Sequence, residues 1–208
     1  MSLKNIVIAS SNKGKLAEFD ELFSNFNIEI IPQKNLKVPD AVEDGLSFIE
    51  NAIIKARNAC AYTSLPSIAD DSGLEVDALS GAPGIYSARF SENEHGQRMG
   101  DTANNMKLLS MLEGVDSSLR GAQFVCALAF MRSSNDPSPV VCVARWRGII
   151  LENTRGDGGF GYDPLFYLPE YGCTSAELSS QLKNQLSHRG QALKILLAEM
   201  SDLGLIGD

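Results

Sequence analysis

Apolar and polar positions follow two rhythms along this chain, one typical of buried strands and one of amphipathic helices. The apolar run at residues 6–9 ends in a polar Ser-Ser-Asn sequence, which predicts a short buried strand. Apolar residues then recur at helical spacing, and Asn12 is a suitable N-cap. The stripe consists of Leu16, Phe19, Phe23 and Phe26. Residues 29–31, closed by Pro32, predict the next strand.

A second helix is predicted after a polar loop that reaches Gly45. Ser47 and Glu50 have the spacing of a capping box. The apolar stripe behind them consists of Ile49, Ala52, Ile53, Ala56 and Cys60. Residues 67–69 predict another strand, which we expect to run into a turn bearing the two carboxylates of Asp70 and Asp71.

The rest of the chain continues to mix helices and strands. The Gly-Ala-Pro-Gly sequence within residues 81–89 predicts a surface loop, and residues 101–112 predict a helix. Its apolar side consists of Met106, Leu109 and Leu112. Apolar runs at residues 123–132 and 140–147, separated by turn-forming residues, predict a hairpin. A last helix is expected to start at Ser187. It packs through Leu193, Leu196, Leu197 and Met200. The predicted class is α/β with a mixed sheet.

Composition narrows the class of protein. The 208 residues are 44% hydrophobic and 21% charged, which suits one globular domain over residues 1–208 and excludes disorder. A net charge of −8 repels nucleic-acid phosphates, so no nucleic-acid partner is expected. The longest apolar stretch is too short to cross a bilayer, and the N-terminal one is too short for a signal peptide. We therefore expect a cytoplasmic protein without a membrane partner.

The four cysteines lie far apart and form no CxxC pair. This spacing gives neither a zinc site nor a disulfide framework. It predicts small buried side chains in a reducing compartment. The four are Cys60, Cys126, Cys142 and Cys173.

The first segment with candidate chemistry lies between the first strand and the first helix. It consists of Ser10, Ser11, Asn12, Lys13, Gly14 and Lys15. Backbone N–H groups at a helix start, together with Lys15, suit an anion. An ordinary capped helix start explains the same residues equally well. The segment is not a Walker A loop, because Ala9 and Leu16 stand where that motif needs glycine and a hydroxyl residue.

The second segment is the aspartate pair at positions 70 and 71. Adjacent side chains on extended backbone point to opposite sides, so one carboxylate is expected to face a substrate and the other to brace the turn. A carboxylate at a strand end suits Mg²⁺ or takes a proton from water. Glu43 and Asp44 offer a second oxygen ligand from the polar loop. The alternative is that Asp70 and Asp71 only cap a turn.

A glycine-rich segment at residues 156–164 is the third candidate. Its four glycines allow a close backbone approach, Phe160 offers a flat face for a base, and Asp163 offers an acceptor for a purine edge. The alternative is a glycine-rich turn whose aromatic residues pack into the core.

The fourth candidate combines Lys183 with His188 and Arg189. Cations in the first turn of the last helix oppose its dipole, and a bound anion or base edge offsets that cost. An exposed, tolerated arginine is the alternative. Lys55 lies beside an apolar stripe, from which it either extends to solvent or reaches into a cleft.

Together and in this order, these segments resemble the inosine/xanthosine triphosphate pyrophosphatase family. The matching blocks are residues 10–15, Glu43 with 48–52 and 55–57, 69–74, 81–89, 158–164 and 187–190. The resemblance runs nearly end to end, with looser stretches at residues 92–102 and 133–139. It implies hydrolysis of non-standard purine nucleoside triphosphates to the monophosphate and pyrophosphate, with Mg²⁺ as cofactor. It also implies a homodimer, and an elongated mixed central sheet flanked by helices in two lobes with the active site between them.

The same resemblance implies roles for single residues. Ser10 to Lys15 hold the triphosphate with Lys55, Asp71 is the general base, and Glu43 and Asp71 are metal ligands. Ser72 contacts the nucleotide. The implied base pocket consists of Phe160, Gly161, Tyr162, Asp163, Lys183, His188 and Arg189. Whether Asp70 shares the work of Asp71 stays open, as does the ranking of ITP, dITP and XTP.

Selectivity follows from hydrogen-bond chemistry. Donors from His188, Arg189 and backbone amides suit the 6-oxo group of hypoxanthine or xanthine, whereas the adenine amino group leaves them unpaired. Two alternatives remain. A related hydrolase of modified pyrimidine nucleotides should lack the blocks at residues 160–163 and 188–189. A non-catalytic nucleotide-binding regulator should lack Asp71 or Lys15, and both are present.

Overall fold

The computed structural model describes residues 3–24 and 28–206, and within these ranges it contains seven strands and five α-helices. The strands are β1 (Asn5–Ile8), β2 (Glu29–Pro32), β3 (Ser67–Val76), β4 (Gly121–Met131), β5 (Val140–Ile150), β6 (Phe166–Leu168) and β7 (Cys173–Thr174). The helices are α1 (Lys13–Phe23), α2 (Phe48–Thr63), α3 (Gly100–Met111), α4 (Ser180–Leu186) and α5 (His188–Asp202). Short 3₁₀ helices lie at Gln33–Leu36, Asp77–Leu79, Gly84–Arg89, Ser117–Leu119 and Ser175–Glu177.

The strands form one open sheet in the order β2-β1-β3-β4-β5-β6-β7. Strand β1 is parallel to β2 and β3, whereas β6 is antiparallel to β5 and β7, so the sheet is mixed. Strands β4 and β5, predicted as a hairpin, are neighbours in the sheet. The predicted α/β class with a mixed sheet is confirmed.

The first strand and helix form where the sequence predicts them. The apolar residues of β1 are fully buried, as is typical of a strand inside a parallel sheet. Helix α1 begins after Asn12, whose Oδ1 accepts hydrogen bonds from the N–H groups of Gly14 at 2.9 Å and Lys15 at 3.2 Å. Asn12 is therefore the N-cap. Phe19 and Phe23 are buried, and Phe26 lies outside the described residues.

The turn predicted after residue 69 is wrong. Strand β3 continues through Asp70 and Asp71 as far as Val76. Leu74 and Val76 are fully buried, and the N–H of Leu74 donates to Ser87 Oγ at 2.9 Å. These contacts keep the backbone extended, so both carboxylates are carried by a strand and not by a turn.

Other predicted details also differ. Residues 81–89 are not a surface loop, because a cis Ala82–Pro83 peptide leads into the 3₁₀ helix Gly84–Arg89, in which Ser87 is buried. Ile49 is 41% exposed and Met106 is 67% exposed, so neither belongs to its predicted stripe. Each helical residue turns the face by about 100°, so the core sides are taken by neighbouring residues. Those residues are Phe48 and Asn51 in α2 and Leu108 in α3. Helix α4 was not predicted.

The chain divides into two compact units, each with its own apolar core. The first unit takes in the chain up to Asp71, Cys126–Ala144 and the segment from Arg189 onward, and the second takes in Ser72–Val125 and Arg145–His188. The core of the first includes Ile6, Ile8, Phe19, Phe23, Leu128, Phe130, Leu193, Leu196 and Met200, with Leu197 packed against it. The core of the second includes Leu74, Val76, Leu108, Leu112, Phe124, Trp146, Phe166 and Leu168.

Two sequence expectations concern the whole chain. All four cysteine thiols are free; Cys60, Cys126 and Cys142 are buried and Cys173 is half-buried. Within residues 3–24 and 28–206, the structure contains no helix long and apolar enough to cross a bilayer.

Candidate functional site

The first unit carries a buried ion cluster centred on Asp70. Lys15 Nζ lies 2.6 Å from Asp70 Oδ1, and Arg189 Nε donates to Asp70 Oδ2 at 3.0 Å. The Arg189 guanidinium also pairs with Glu18 Oε2. The Cys126 thiol lies 3.8 Å from Asp70 Oδ2. We call the four charged residues the Asp70 cluster: Lys15, Glu18, Asp70 and Arg189. The Asp70 side chain is fully buried.

Charge balance explains how this carboxylate stays ionised inside the protein. Burial alone would raise the pKa of Asp70, but Lys15 and Arg189, helped by Lys55, outweigh that effect and hold the pKa well below its usual range. A buried ion pair is favourable only where such partners replace the lost water. Asp70 is therefore a fixed anion that orients Lys15 and Arg189.

Asp71 has different partners on the other side of the strand. Lys55 Nζ lies 3.0 Å from Asp71 Oδ1, and Asn51 Nδ2 donates to Asp71 Oδ2 at 3.3 Å. Lys55 Nζ also lies 3.5 Å from Glu43 Oε1. Since adjacent side chains of a strand point in opposite directions, Asp70 and Asp71 acquire separate environments.

The protonation of Asp71 and Lys55 follows from these contacts. Burial raises the pKa of Asp71, and the opposing effect of Lys55 does not cancel it. Burial would lower the pKa of Lys55, but Asp71, Asp70 and Glu43 raise it overall. Lys55 therefore stays protonated, while Asp71 is a stronger base than an exposed aspartate. A carboxylate whose pKa is raised is a better proton acceptor.

The predicted phosphate segment is partly occupied by its own side chains. The Asn12 cap takes the N–H groups of Gly14 and Lys15, and Asn12 N donates to Ser10 Oγ at 3.2 Å. The Ser11 hydroxyl donates to Asp40 Oδ1 at 3.0 Å. Within this segment, the structure describes the side chain of the cation Lys15. The side chain of Lys13 lies outside the described part of the structure.

The second unit carries a second buried carboxylate, Asp163. Ser175 Oγ donates to Asp163 Oδ1 at 2.7 Å. Lys183 Nζ and the Phe160 N–H donate to Asp163 Oδ2 at 2.6 Å and 2.8 Å. Lys183 Nζ also lies 4.8 Å from the centroid of the half-buried Phe160 ring, a cation–π distance. We call these four residues the Asp163 cluster.

Two glycines are needed for this packing. A Cβ on Gly159, whose φ is +74°, would lie 2.1 Å from Asp163 Oδ2. A Cβ on Gly158 would lie 2.6 Å from the Ala176 carbonyl oxygen. The glycine-rich segment therefore lets the backbone close over Asp163 and the Ser175–Glu177 turn.

The neighbouring residues of this segment are anchored in the second unit. Asp101 Oδ2 accepts a hydrogen bond from the Gly161 N–H at 2.7 Å, and Asn105 Nδ2 donates to the Gly161 carbonyl at 3.0 Å. The Tyr162 hydroxyl donates to the Ser87 carbonyl at 2.9 Å. Tyr162 is buried, and burial raises the pKa of its phenol. Of the two aromatic residues, Tyr162 packs into the core and Phe160 stays half-exposed.

The other predicted site residues are His188, Arg189, Ser72 and Lys55. The His188 imidazole stacks on Phe124 with ring centroids 4.9 Å apart. Arg189 occupies the first turn of α5, where two carboxylates offset the unfavourable helix dipole, so it is not the exposed arginine of the alternative interpretation. Ser72 is half-buried on β3, directly after Asp71. Lys55 reaches carboxylates, which answers the question left open by its position beside an apolar stripe.

Sequence reasoning missed several residues that organise these clusters. Glu18 lies three residues after Lys15 on α1, and Asn51 lies four residues before Lys55 on α2, so helical spacing contained a signal for both. Asp101 and Asn105 lie 60 and 56 residues from Gly161, and Ser175 lies 12 residues from Asp163, beyond the spacing of any local helix or strand pattern.

The Asp71 surroundings fit a divalent metal. The carboxylates of Glu43 and Asp71 both approach the same ammonium group, within 3.5 Å. Within the described ranges, no group of three or more His, Cys, Asp or Glu residues is placed to hold a metal by itself. Mg²⁺ usually takes one or two protein carboxylates and completes its shell with water and substrate phosphates. Two carboxylates are therefore a suitable donor set for Mg²⁺ with a nucleotide.

Comparisons with known proteins show the family to which the chain belongs. The sequence model of the Ham1 family matches residues 6–199, and the chain belongs to that family. The chain is similar to the dITP/XTP pyrophosphatase of Vibrio parahaemolyticus, with 52% identity over 199 residues that cover 96% of this chain and 98% of the relative. It is also similar to the dITP/XTP pyrophosphatase of Thioalkalivibrio sulfidiphilus, with 54% identity over 195 residues and coverage of 94% and 97%.

A solved structure supports the fold in the same way. A HAM1 protein from Coxiella burnetii matches with a TM-score of 0.88 at 47% identity, covering 96% of this chain and 99% of that one. The family resemblance inferred from the six sequence blocks is thus confirmed.

Proposed function

We propose that this chain hydrolyses non-standard purine nucleoside triphosphates, such as ITP, dITP and XTP, to the monophosphate and pyrophosphate. The observation that carries the proposal is Asp71, a buried carboxylate with a raised pKa that is held by Lys55 and Asn51 beside Glu43. The names of the relatives that are about half identical over nearly the whole chain support the substrate class. We propose that residues 1–208 act as one catalytic domain.

The first unit would bind and cleave the triphosphate. Lys15 and Lys55 bring positive charge for the phosphates, with Ser10 to Gly14 lining the helix start. Asp71 takes the proton of the attacking water, whose oxygen forms the new bond to the α-phosphorus as pyrophosphate leaves. Glu43 and Asp71 would hold Mg²⁺, which neutralises phosphate charge and favours the in-line displacement. Asp70 does not share the proton transfer, because its low pKa makes it a weak base.

The second unit would select the base. The half-exposed face of Phe160 stacks the purine, and Lys183, held by Asp163, donates to the 6-oxo group. Asp163 then orients Lys183 and is not itself the acceptor of a purine edge. Gly161, Tyr162 and Ser72 would shape this pocket. We keep His188 in this pocket. Arg189, which the family resemblance also implies for it, is held by Asp70 and Glu18 in the first unit. An adenine amino group in place of the oxygen leaves a donor unpaired, at about 1–3 kcal/mol.

The experiment is a product analysis with purified protein. We expect ITP, dITP and XTP to release the monophosphate and one pyrophosphate with Mg²⁺, ATP to react far more slowly, and EDTA to abolish turnover. Stoichiometric orthophosphate from ITP, in an assay free of inorganic pyrophosphatase, would contradict the proposal. Tight ITP binding without turnover would favour a regulator, and preference for a modified pyrimidine would favour the related hydrolase.

We further propose that the enzyme is a cytoplasmic homodimer. The family resemblance supports the homodimer, and the widely spaced cysteines and short apolar stretches support the cytoplasmic location. Light scattering on the purified chain tests the homodimer, with twice the mass of 22.5 kDa as the expected result.

A further inference from the structure

The hydroxyl of Ser175 hydrogen-bonds to a residue outside its own turn. Ser175 is 1% exposed, and its Oγ donates to Asp163 Oδ1 at 2.7 Å across 12 positions of the chain. Asp163 is 3% exposed, and its carboxylate receives three described hydrogen bonds. The Ser175 bond is the described bond to Oδ1, whereas Phe160 N and Lys183 both use Oδ2.

The turn that carries Ser175 does not need this hydroxyl for its own stability. The 3₁₀ helix Ser175–Glu177 is closed by a capping box between Thr174 and Glu177. Thr174 N donates to Glu177 Oε2 at 2.7 Å, and Thr174 Oγ1 donates to the Arg155 carbonyl at 2.8 Å. The turn also meets the loop through its backbone, since Ala176 N donates to the Asp163 carbonyl at 3.3 Å. These bonds fix the turn without the Ser175 side chain.

The Asp163 carboxylate, by contrast, needs an external constraint. The last torsion of an aspartate side chain is broad, so packing alone does not fix the plane of the carboxylate, and its hydrogen-bond donors do. A donor on Oδ1 keeps Oδ2 directed at Lys183 and at the Phe160 N–H. Fixing Oδ2 also fixes the Lys183 ammonium above the Phe160 ring, because both are held by the same short contacts.

We propose that Ser175 is a positioning residue for base selection, which acts through Asp163 on the Lys183 ammonium. This inference rests on the proposed function, in which Lys183 donates to the 6-oxo group of the purine. Without the Ser175 hydroxyl, the Asp163 carboxylate rotates. The hydrogen bonds from Lys183 and the Phe160 N–H to its oxygens then change. The Lys183 ammonium moves away from the position in which it donates to the base. The loss falls on substrates that carry a 6-oxo group and spares the phosphate chemistry at Asp71.

The test compares Ser175→Ala with a matched control, Ser67→Ala. Ser67 is also a fully buried serine, but its hydroxyl donates to the Leu65 carbonyl in the first unit. Steady-state kcat and KM are measured for ITP and ATP with Mg²⁺, together with thermal melting. For Ser175→Ala we expect kcat/KM for ITP to fall by about tenfold, mainly through KM, because hydrogen bonds to charged groups are worth more than neutral ones. ATP should change by less than twofold, and Ser67→Ala should leave the ITP/ATP ratio unchanged.

Two further variants keep the test decisive. Ser175→Cys retains most of the volume with a weaker donor, so it should fall between wild type and Ser175→Ala even if the alanine variant folds poorly. In an Asp163→Asn background, Ser175→Ala should add little further loss, because residues that act through one another are not additive.

The outcomes separate this inference from the proposed function. A wild-type protein that turns over no 6-oxo purine triphosphate overturns the proposed function. An active wild type whose ITP/ATP ratio is the same in Ser175→Ala and Ser175→Cys overturns the role of Ser175 alone. Equal losses for ITP and ATP in both variants also overturn it, because they indicate a purely structural hydroxyl.

Discussion

Asp70 and Asp163 are both buried carboxylates that hold a lysine at 2.6 Å, yet they are stabilised by different means. Asp70 receives two cations, Lys15 and Arg189, and the second cation is balanced by Glu18. Asp163 receives one cation and two neutral donors. A cluster built mainly from charges resists rearrangement, because each removed partner leaves another charge buried. A cluster that includes neutral donors can lose one of those donors without leaving a charge unpaired.

The two clusters also differ in how the chain assembles them. The Asp70 cluster draws on α1, β3 and α5, which are far apart in sequence. The Asp163 cluster draws on the glycine-rich segment, the Ser175 turn and α4, all within about two dozen residues of sequence. The Asp70 cluster therefore joins distant segments of the chain, whereas the Asp163 cluster is built within one segment.

The largest effect is expected at Asp71, the neighbour of Asp70 and the proposed general base. Asp71→Asn should keep the fold and lower turnover by about 10²–10⁴-fold, because it removes the proton acceptor. The check is kcat for ITP together with circular dichroism of the variant. Activity within threefold of wild type would show that Asp71 is only structural.

The next effect concerns stability and compares the two buried carboxylates directly. Asp70→Asn should destabilise the protein by about 3–5 kcal/mol, since it removes the carboxylate charge that Lys15 and Arg189 share and leaves Glu18 alone to balance the buried cations. Asp163→Asn should cost less, about 1–3 kcal/mol, because the amide keeps an acceptor and the Lys183 side chain is 11% exposed. Urea unfolding of both variants measures the difference. Equal costs would remove the distinction between the clusters.

The smallest effect is expected at a more exposed ion pair, which serves as a reference for the two buried clusters. Arg132 Nη2 lies 2.5 Å from Asp136 Oδ1 on the β4–β5 loop, and the arginine side chain is half-exposed. Hydrogen bonds from Arg132 hold the pKa of Asp136 well below its ordinary value near 3.8, although burial opposes this shift. A carboxylate with a depressed pKa in the folded state stabilises above its unfolded pKa and loses that contribution as the pH falls.

Thermal melting tests this point with Asp136→Asn. The variant should melt slightly below wild type at pH 7, and the gap should close as the pH falls from about 4 toward the depressed pKa. A gap that stays constant over that range would show that the ion pair contributes nothing.

The sequence predicts the fold class and the charged residues of the site, but it does not predict which of those residues form ion pairs with each other. Asn12, β1 and α5 were predictable because capping chemistry and apolar periodicity are local signals. The turn after residue 69 was wrong because the residues that keep β3 extended, Leu74 and Val76, act through a core that local patterns do not show.

The candidate site was harder to predict for the same reason. Arg189 looked like an exposed cation or a base donor, and its carboxylate partner Asp70 lies 119 residues away in sequence. Ser175 gave no signal, since one serine in a polar segment is unremarkable. Opposite charges attract across any sequence separation, so ion pairing is decided by the tertiary fold.

We propose that Asp71 acts in cleavage of the triphosphate and that Lys183 selects the base. The most direct measurement is the ratio of kcat/KM for ITP and ATP in wild type, Lys183→Met and Asp71→Asn. Lys183→Met should lower kcat/KM for ITP by about 10–200-fold and change ATP only slightly, because it removes the donor to the 6-oxo group. Asp71→Asn should lower both equally. If Lys183→Met lowered ITP and ATP to the same extent, the assignment of base selection to the Asp163 cluster would be contradicted.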